Sequence, residues 1–199
     1  MVTPIILAAG GSTRMGRPKA LLDFDGRTCL ELALAAMGGL GRPIVVLGPN
    51  RAEIEARVDL SGARVAVNPD PASGQTASLK AGLLLLERET EGFLFQPVDY
   101  PLVARADVAR LVEALRADPA KSVFVPSHAM RRGHPVLCRR AVADEVLALP
   151  PGTPARAALF GAPGRVAHVL FDSPHVLMDM DTPEDYAGCL AAYRARRGR

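Results

Sequence analysis

The stretch Leu7-Ala8-Ala9-Gly10-Gly11-Ser12-Thr13-Arg14-Met15-Gly16-Arg17-Pro18-Lys19 has the makings of a phosphate grip. Small residues let the backbone come close to a ligand, and successive N–H groups can form an anion-binding nest. Arg14 and Lys19 add the positive charge that a triphosphate needs. The spacing is not that of a P-loop. Gly11 and Gly16 stand correctly apart, but Arg17-Pro18 follows where that motif requires Lys-Ser or Lys-Thr. Nor is it a dinucleotide fingerprint, because Gly10-Gly11 with Gly16 does not give Gly-x-Gly-x-x-Gly and the second strand ends in Leu47-Gly48-Pro49 rather than an acid.

Four further groups of polar residues stand out. Asp99, in Val98-Asp99-Tyr100-Pro101, stands where a strand ends and would project into a ligand crevice, or else serve as a turn residue. Asp179 and Asp181 precede Thr182-Pro183-Glu184-Asp185. In extended backbone they are expected to face opposite sides, so only one should reach a metal; a helix-starting role is the other reading. The loop from Asn68 through Gly74 to Ser78 ends in Gln75, Thr76 and Ser78, whose hydrogen bonds suit a base edge or a helix cap. Arg131-Arg132-Gly133-His134 could hold an anionic acceptor, with Gly133 permitting its close approach.

The pattern Leu-Ala-Ala-Gly-x-Ser-x-Arg-Met-Gly-x-x-Lys resembles the nucleotidyltransferase family that includes the molybdenum cofactor cytidylyltransferases and guanylyltransferases. The single Arg17 between Gly16 and Pro18-Lys19 is similar to the molybdenum cofactor branch, since the isoprenoid cytidylyltransferases have a longer spacer. The Asp-x-Pro, Asn-Pro-…-Gly-x-x-x-Ser-Leu, Gly-His-Pro-Val-Leu and Asp-x-Asp-Thr-Pro-Glu-Asp segments agree, so the resemblance spans nearly the whole chain. It implies Arg14 and Lys19 as catalytic residues. It implies nucleotide binding by Leu7, Ala8, Ala9, Gly10, Gly11, Arg14, Lys19, Asn68, Gly74, Gln75 and Ser78, and acceptor binding by Tyr100, Arg132, Gly133 and His134. Asp99 and Asp181 would hold Mg²⁺ (or Mn²⁺), with Asp179 the alternate to Asp181. Mg²⁺ takes carboxylate and phosphate oxygens, so one aspartate from each half of the chain suffices with the nucleotide. The implied reaction is transfer of NMP, CMP preferred, from an NTP to a phosphorylated acceptor such as molybdopterin, with release of pyrophosphate. A molybdoenzyme maturation partner is a further implication. The rival readings are a transferase for another small acceptor, a sugar phosphate or phospho-hydroxy acid, and a non-catalytic nucleotide-binding regulator.

The elements that must position these groups alternate. Strands are expected at 2–7, 44–47, 63–67, 93–98, 122–125, 135–137 and 165–170. Helices are expected from a Thr28 capping box to about 37, then over 51–58, 76–88, 106–116, 141–149 and 183–194. Such alternation predicts an α/β three-layer, Rossmann-like fold with a mainly parallel sheet and ligands beyond the strands' carboxyl ends. The 199 residues read as one domain, 1–101 mainly for the NTP and 102–199 mainly for the acceptor. Cys29, Cys138 and Cys189 lack metal-ligand spacing, as do the four histidines, and the cysteines are expected to act as small buried hydrophobes. The pI of about 9.0 comes with no basic–aromatic array for nucleic acid, and the run Arg194 to Arg199 reads as a solvated tail. No signal peptide or membrane span is expected, which places the chain in the cytoplasm.

Overall fold

The computed structural model describes residues 1–10 and 15–198, so Gly11 and Arg14 of the phosphate-grip stretch lie outside the described residues. Along the chain come β1 (Val2–Ala8), the pair β2 (Asp23–Phe24) and β3 (Arg27–Thr28), α1 (Cys29–Ala36), β4 (Ile44–Leu47), α2 (Arg51–Glu55), β5 (Arg64–Val67), α3 (Gln75–Leu83) and β6 (Gly92–Pro97). Then follow α4 (Arg105–Ala117), β7 (Val123–His128), β8 (Arg131–Arg132), β9 (Val136–Arg139), α5 (Ala141–Ala148), α6 (Arg156–Phe160), β10 (Val166–Leu170) and α7 (Pro183–Arg197). The eight-stranded sheet runs β10-β7-β9-β6-β1-β4-β5, with β8 paired to β7. Pairings around β1 and β4 and between β7 and β10 are parallel; β9 is antiparallel to both β6 and β7.

The three layers follow from strand alternation. On β1 the neighbours Ile5 and Ile6 are both wholly buried but enter different cores. Ile6, Val45 and Leu94 pack with α1, α4 and α7 on one face, and Ile5, Val46 and Phe93 with α3, α5 and α6 on the other. Burial on both faces explains why the strands read as unbroken apolar runs. Gly48 is required after β4, because a Cβ there would fall on the Ala9 carbonyl. The loops beyond β1 and β4 therefore touch.

The structure differs from expectation at several elements. The third helix stops at Leu83, where i to i−3 bonds from Leu85 and Leu86 tighten the turn and leave Leu84 exposed. The β2–β3 hairpin turns on Asp25 and Gly26, both at positive φ, and is too short for a periodic signal. The segment 127–133 forms the β7–β8 hairpin rather than an open turn. The C-terminal arginines are exposed, as expected, but helical and tethered: α7 runs through Arg197, Arg194 grips Asp25 at 2.6 Å, and Arg196 donates to the Leu102 carbonyl at 2.6 Å.

A buried Asp–His hydrogen bond sits beneath the α4 N-terminus. Asp107 accepts from the Ala104 N–H at 2.8 Å and pairs with His175 Nε2 at 2.9 Å. Burial pushes the Asp107 carboxyl up, but the His175 hydrogen bond, the Ala104 N–H and the charges of His175 and Arg196 outweigh it, and the net shift is downward. A lowered folded value means stability that is present above the ordinary carboxylate range and lost as pH falls through the folded value. Urea unfolding of wild type and Asp107→Asn should therefore differ at about pH 7 and converge toward about pH 3. A gap that stays constant with pH would contradict the assignment.

Candidate functional site

Two clefts open beyond the carboxyl ends of β1 and β6, separated by the start of α3. The first, of about 250 Å³, is lined by Leu7, Ala8, Ala9 and Gly10 from the end of β1, by Lys19, by Gly74, Gln75 and Ser78, and by Asp99 and Asp181. The second, of about 390 Å³, has walls that include Phe95, Arg132, His134, Arg156 and Phe160. Gly74 and Gln75 line both. Gly74 has φ +89°, a conformation that favours glycine, and it starts α3 so that Gln75 stands between the two spaces.

The centre of the first cleft is an ion-paired triad. Lys19 Nζ donates to Asp99 Oδ2 at 3.0 Å and to Asp181 Oδ1 at 2.6 Å. The side chains of Lys19, Asp99 and Asp181 are 17%, 22% and 47% exposed. Burial works against the Lys19 charge, but the hydrogen bonds and charges of Asp181 and Asp99 outweigh it and hold the ammonium above its ordinary range. Among the described residues, Asp99 Oδ1 is buried with no hydrogen-bond partner, which is costly for a carboxylate oxygen unless a ligand completes it.

Local structure sets each member. Pro18 precedes a short 3-10 turn, Lys19–Leu21, whose buried Ala20 fixes the backbone under Lys19. Asp181 stands before the α7 capping box, in which Thr182 accepts from Asp185 N–H and Asp185 accepts from Thr182 N–H. Asp185 thus starts a helix, as expected. Two thiols brace the carboxylate-bearing segments: Cys29 Sγ donates to the Val98 carbonyl at 2.8 Å and Cys189 Sγ to the Asp179 carbonyl at 3.7 Å. These cysteines are therefore more than apolar filler. Burial, with nearby carboxylates, pushes both thiols up, Cys189 to about 11, which keeps them protonated donors.

Asp179 and Asp181 do not face opposite sides. Residues two apart in extended chain share a face, and Met180 between them is the one that turns into the core. Burial and then the charges of Asp99, Asp181 and Asp185 push the Asp179 carboxyl up, against a backbone hydrogen bond. Like-charge crowding of this kind disfavours the ionised carboxyl, and a nearby cation relieves it. Among the described residues, however, no three of His, Cys, Asp and Glu form a self-sufficient cage for a metal ion.

The other residues singled out from sequence divide. Asn68 Nδ2 donates to Ser78 Oγ at 2.9 Å, and Asn68 Oδ1 accepts from Asp70 N–H. Asn68 thus ties its loop to α3 and is not among the residues lining either cleft. Thr76 does not cap α3; its hydroxyl accepts from Ala155 N–H at 2.8 Å, and Lys80 donates to the Leu147 and Leu149 carbonyls. These bonds hold the 147–156 segment against α3 and build the second cleft's wall. Gly133 answers to a different close approach than expected: a Cβ there would fall on the Val176 carbonyl of the chain itself. His134 is buried, its ring 4.7 Å from that of Tyr100, and burial, partly opposed by a bond to the Phe95 backbone, pushes it down to about 4. It is neutral at neutral pH. Burial and then the charges of Asp179, Asp99 and Asp181 push the Tyr100 hydroxyl up, so it too stays protonated. Arg132 lies over the Phe160 ring at 4.3 Å. Arg156 and Phe160 escaped sequence reading, because α6 has five residues, too few to show a period.

A mostly parallel sheet with flanking helices, and carboxylates with a lysine beyond its carboxyl edge, places the chain among the nucleotidyltransferases of Rossmann-like fold. Residues 4–166 match the MobA-like NTP transferase domain, and the chain belongs to that family. It is 31% identical over 184 residues to the molybdenum cofactor cytidylyltransferase of Escherichia coli K12, covering 92% of each chain. It is 37% identical over 156 residues to the nicotine blue oxidoreductase of Paenarthrobacter nicotinovorans, covering 73% of this chain and 76% of that one. Rv0371c of Mycobacterium tuberculosis H37Rv, solved in complex with manganese, superposes with a TM-score of 0.78 at 28% identity, over 96% of this chain and 98% of that one. Among the described residues, no helix is long and apolar enough to cross a membrane.

Proposed function

We propose that the protein transfers a nucleotidyl group, CMP in preference, from an NTP to a phosphorylated acceptor of the molybdopterin type. The observation that carries this reading is the Lys19–Asp99–Asp181 triad at the head of a cleft whose floor is the end of β1. Asp99 and Asp181 are the residues that would hold a divalent ion, Mg²⁺ or Mn²⁺. The uncompleted Asp99 Oδ1 and the crowding of Asp179 fit such an ion. The structural neighbour that binds manganese agrees. When bound, the ion supplies Lewis acidity and a template for phosphate oxygens.

The chain's own residues do the remainder. Arg14 and Lys19 balance the charge of the triphosphate. The backbone from Leu7 to Gly10, with Gln75 and Ser78, forms the nucleoside side of the cleft. Arg132 and Arg156, on the second cleft, meet the anionic acceptor, and the Phe160 ring beneath Arg132 orients the guanidinium. Neutral, buried His134 is a wall rather than a base, and none is needed, because a phosphate nucleophile is already ionised at neutral pH. The CMP preference rests on the Escherichia coli relative's being a cytidylyltransferase.

The test is pyrophosphate release from the four NTPs against candidate acceptors, with and without a chelator. Release should be fastest with CTP and stop on chelation. Arg132→Ala should raise the acceptor KM about tenfold and leave the CTP KM nearly unchanged. No release from any NTP, or nicotinamide-dependent reduction of a dye in its place, would overturn the reading.

A further inference from the structure

We propose that Lys19 is the resident counter-cation of the Asp99–Asp181 pair. A divalent ion then binds weakly until the nucleotide draws the Lys19 ammonium away. The inference rests on the reading above and concerns how the site behaves before its nucleotide arrives.

The geometry is that of a small cation between two carboxylates. Nζ lies 3.0 Å from Asp99 Oδ2 and 2.6 Å from Asp181 Oδ1. The three side chains come from distant parts of the sequence and meet only here. Two carboxylates this close and partly shielded repel strongly, and an ammonium between them removes most of that repulsion. A divalent ion seeking the same two carboxylates must displace Nζ or share the notch with a like charge. Neither is favourable unless another anion receives the ammonium.

A triphosphate is that anion. The backbone under Lys19 is held by Leu21 N–H to the Pro18 carbonyl at 2.9 Å and Leu22 N–H to the Lys19 carbonyl at 3.2 Å. The exchange can therefore proceed by rotation of the flexible four-carbon stem, without movement of this backbone. Lys19 has two successive roles, as stand-in for the metal and then as partner of the phosphates. Nucleotide and metal must consequently favour each other's binding by the same factor. The device also keeps adventitious divalent ions out of the nucleotide-free enzyme.

The experiment is titration of the intact protein with Mn²⁺ alone, following the EPR signal of unbound Mn²⁺, in wild type, Lys19→Met and Lys19→Met/Asp99→Asn. Lys19→Met should bind Mn²⁺ at least about tenfold more tightly than wild type. The gain should persist at about 0.5 M KCl, where a contact survives and a general field effect is screened. It should be absent in the double variant, which locates the ion at Asp99. Affinities within about twofold, or a gain that salt abolishes, would overturn the inference. Should Lys19→Met not fold, Lys19→Gln, uncharged but still a donor, puts the same question. A second measurement separates the inference from the reading beneath it. With α,β-methylene CTP present, wild type should bind Mn²⁺ more tightly than the analogue alone does. If Asp99→Asn leaves that binding and turnover intact, the metal-dependent transferase itself is wrong, whatever Lys19 does.

Discussion

Asp99→Asn is expected to lower turnover about a thousandfold while melting stays within a few degrees of wild type. Asparagine keeps the shape but removes the charge that faces both Lys19 and the uncompleted Oδ1 position. Loss of one preorganised charge contact in a sheltered site amounts to roughly 4 kcal/mol of transition-state stabilisation, or about three powers of ten. Asp181→Asn should lose less, because Asp181 is 47% exposed against 22% for Asp99, and water can take over part of its role. Lys19→Ala should fall about a hundredfold or more, since the triphosphate loses one charged partner. Steady-state kcat with saturating CTP and acceptor, in Mg²⁺ and again in Mn²⁺, decides it. Asp99→Asn turning over within about threefold of wild type would remove the carboxylate from the chemistry.

Gly133→Ala is expected to destabilise the protein by about 2–4 kcal/mol and to weaken acceptor use along with it. The added Cβ would collide with the Val176 carbonyl and press on Leu177. That carbonyl accepts the His134 N–H at 3.0 Å, and Gly133 N–H donates to Pro126 at 2.7 Å, so neither strand nor neighbour can yield cheaply. The displaced segment carries Arg132 and His134 to the second cleft. Thermal melting should drop by roughly 5–15 °C for a chain of this size. The control is Gly188→Ala in α7, where nothing lies within 4 Å of the new Cβ and alanine should raise stability slightly. Equal melting of Gly133→Ala and wild type would show that the backbone there shifts freely.

Much of the molecule was legible before any coordinates. Unbroken apolar runs such as Ile44 to Leu47 announced strands buried on both faces, and the Thr28 and Thr182 boxes announced two helix starts. These are local signals: a side chain's polarity and the backbone a few residues away are enough to produce them. The residues from Leu7 to Gly10, with Lys19, Gly74, Gln75, Ser78, Asp99 and Asp181, converge on one cleft because they stand at strand ends or on the connections and helix starts that follow them, and a parallel sheet gathers such ends on one edge. The tertiary structure alone decided what these groups do to one another. That Lys19 bridges Asp99 and Asp181 and that Gly133 faces the Val176 carbonyl depend on distances between segments far apart in the chain. The same holds for Cys29 and Cys189, whose thiols brace the carboxylate loops, and for the terminal arginines that close on Asp25 and Leu102. Residue type states what a side chain can donate, accept or neutralise. Its partner is chosen only when packing brings a second group within reach and excludes the water that would otherwise have served.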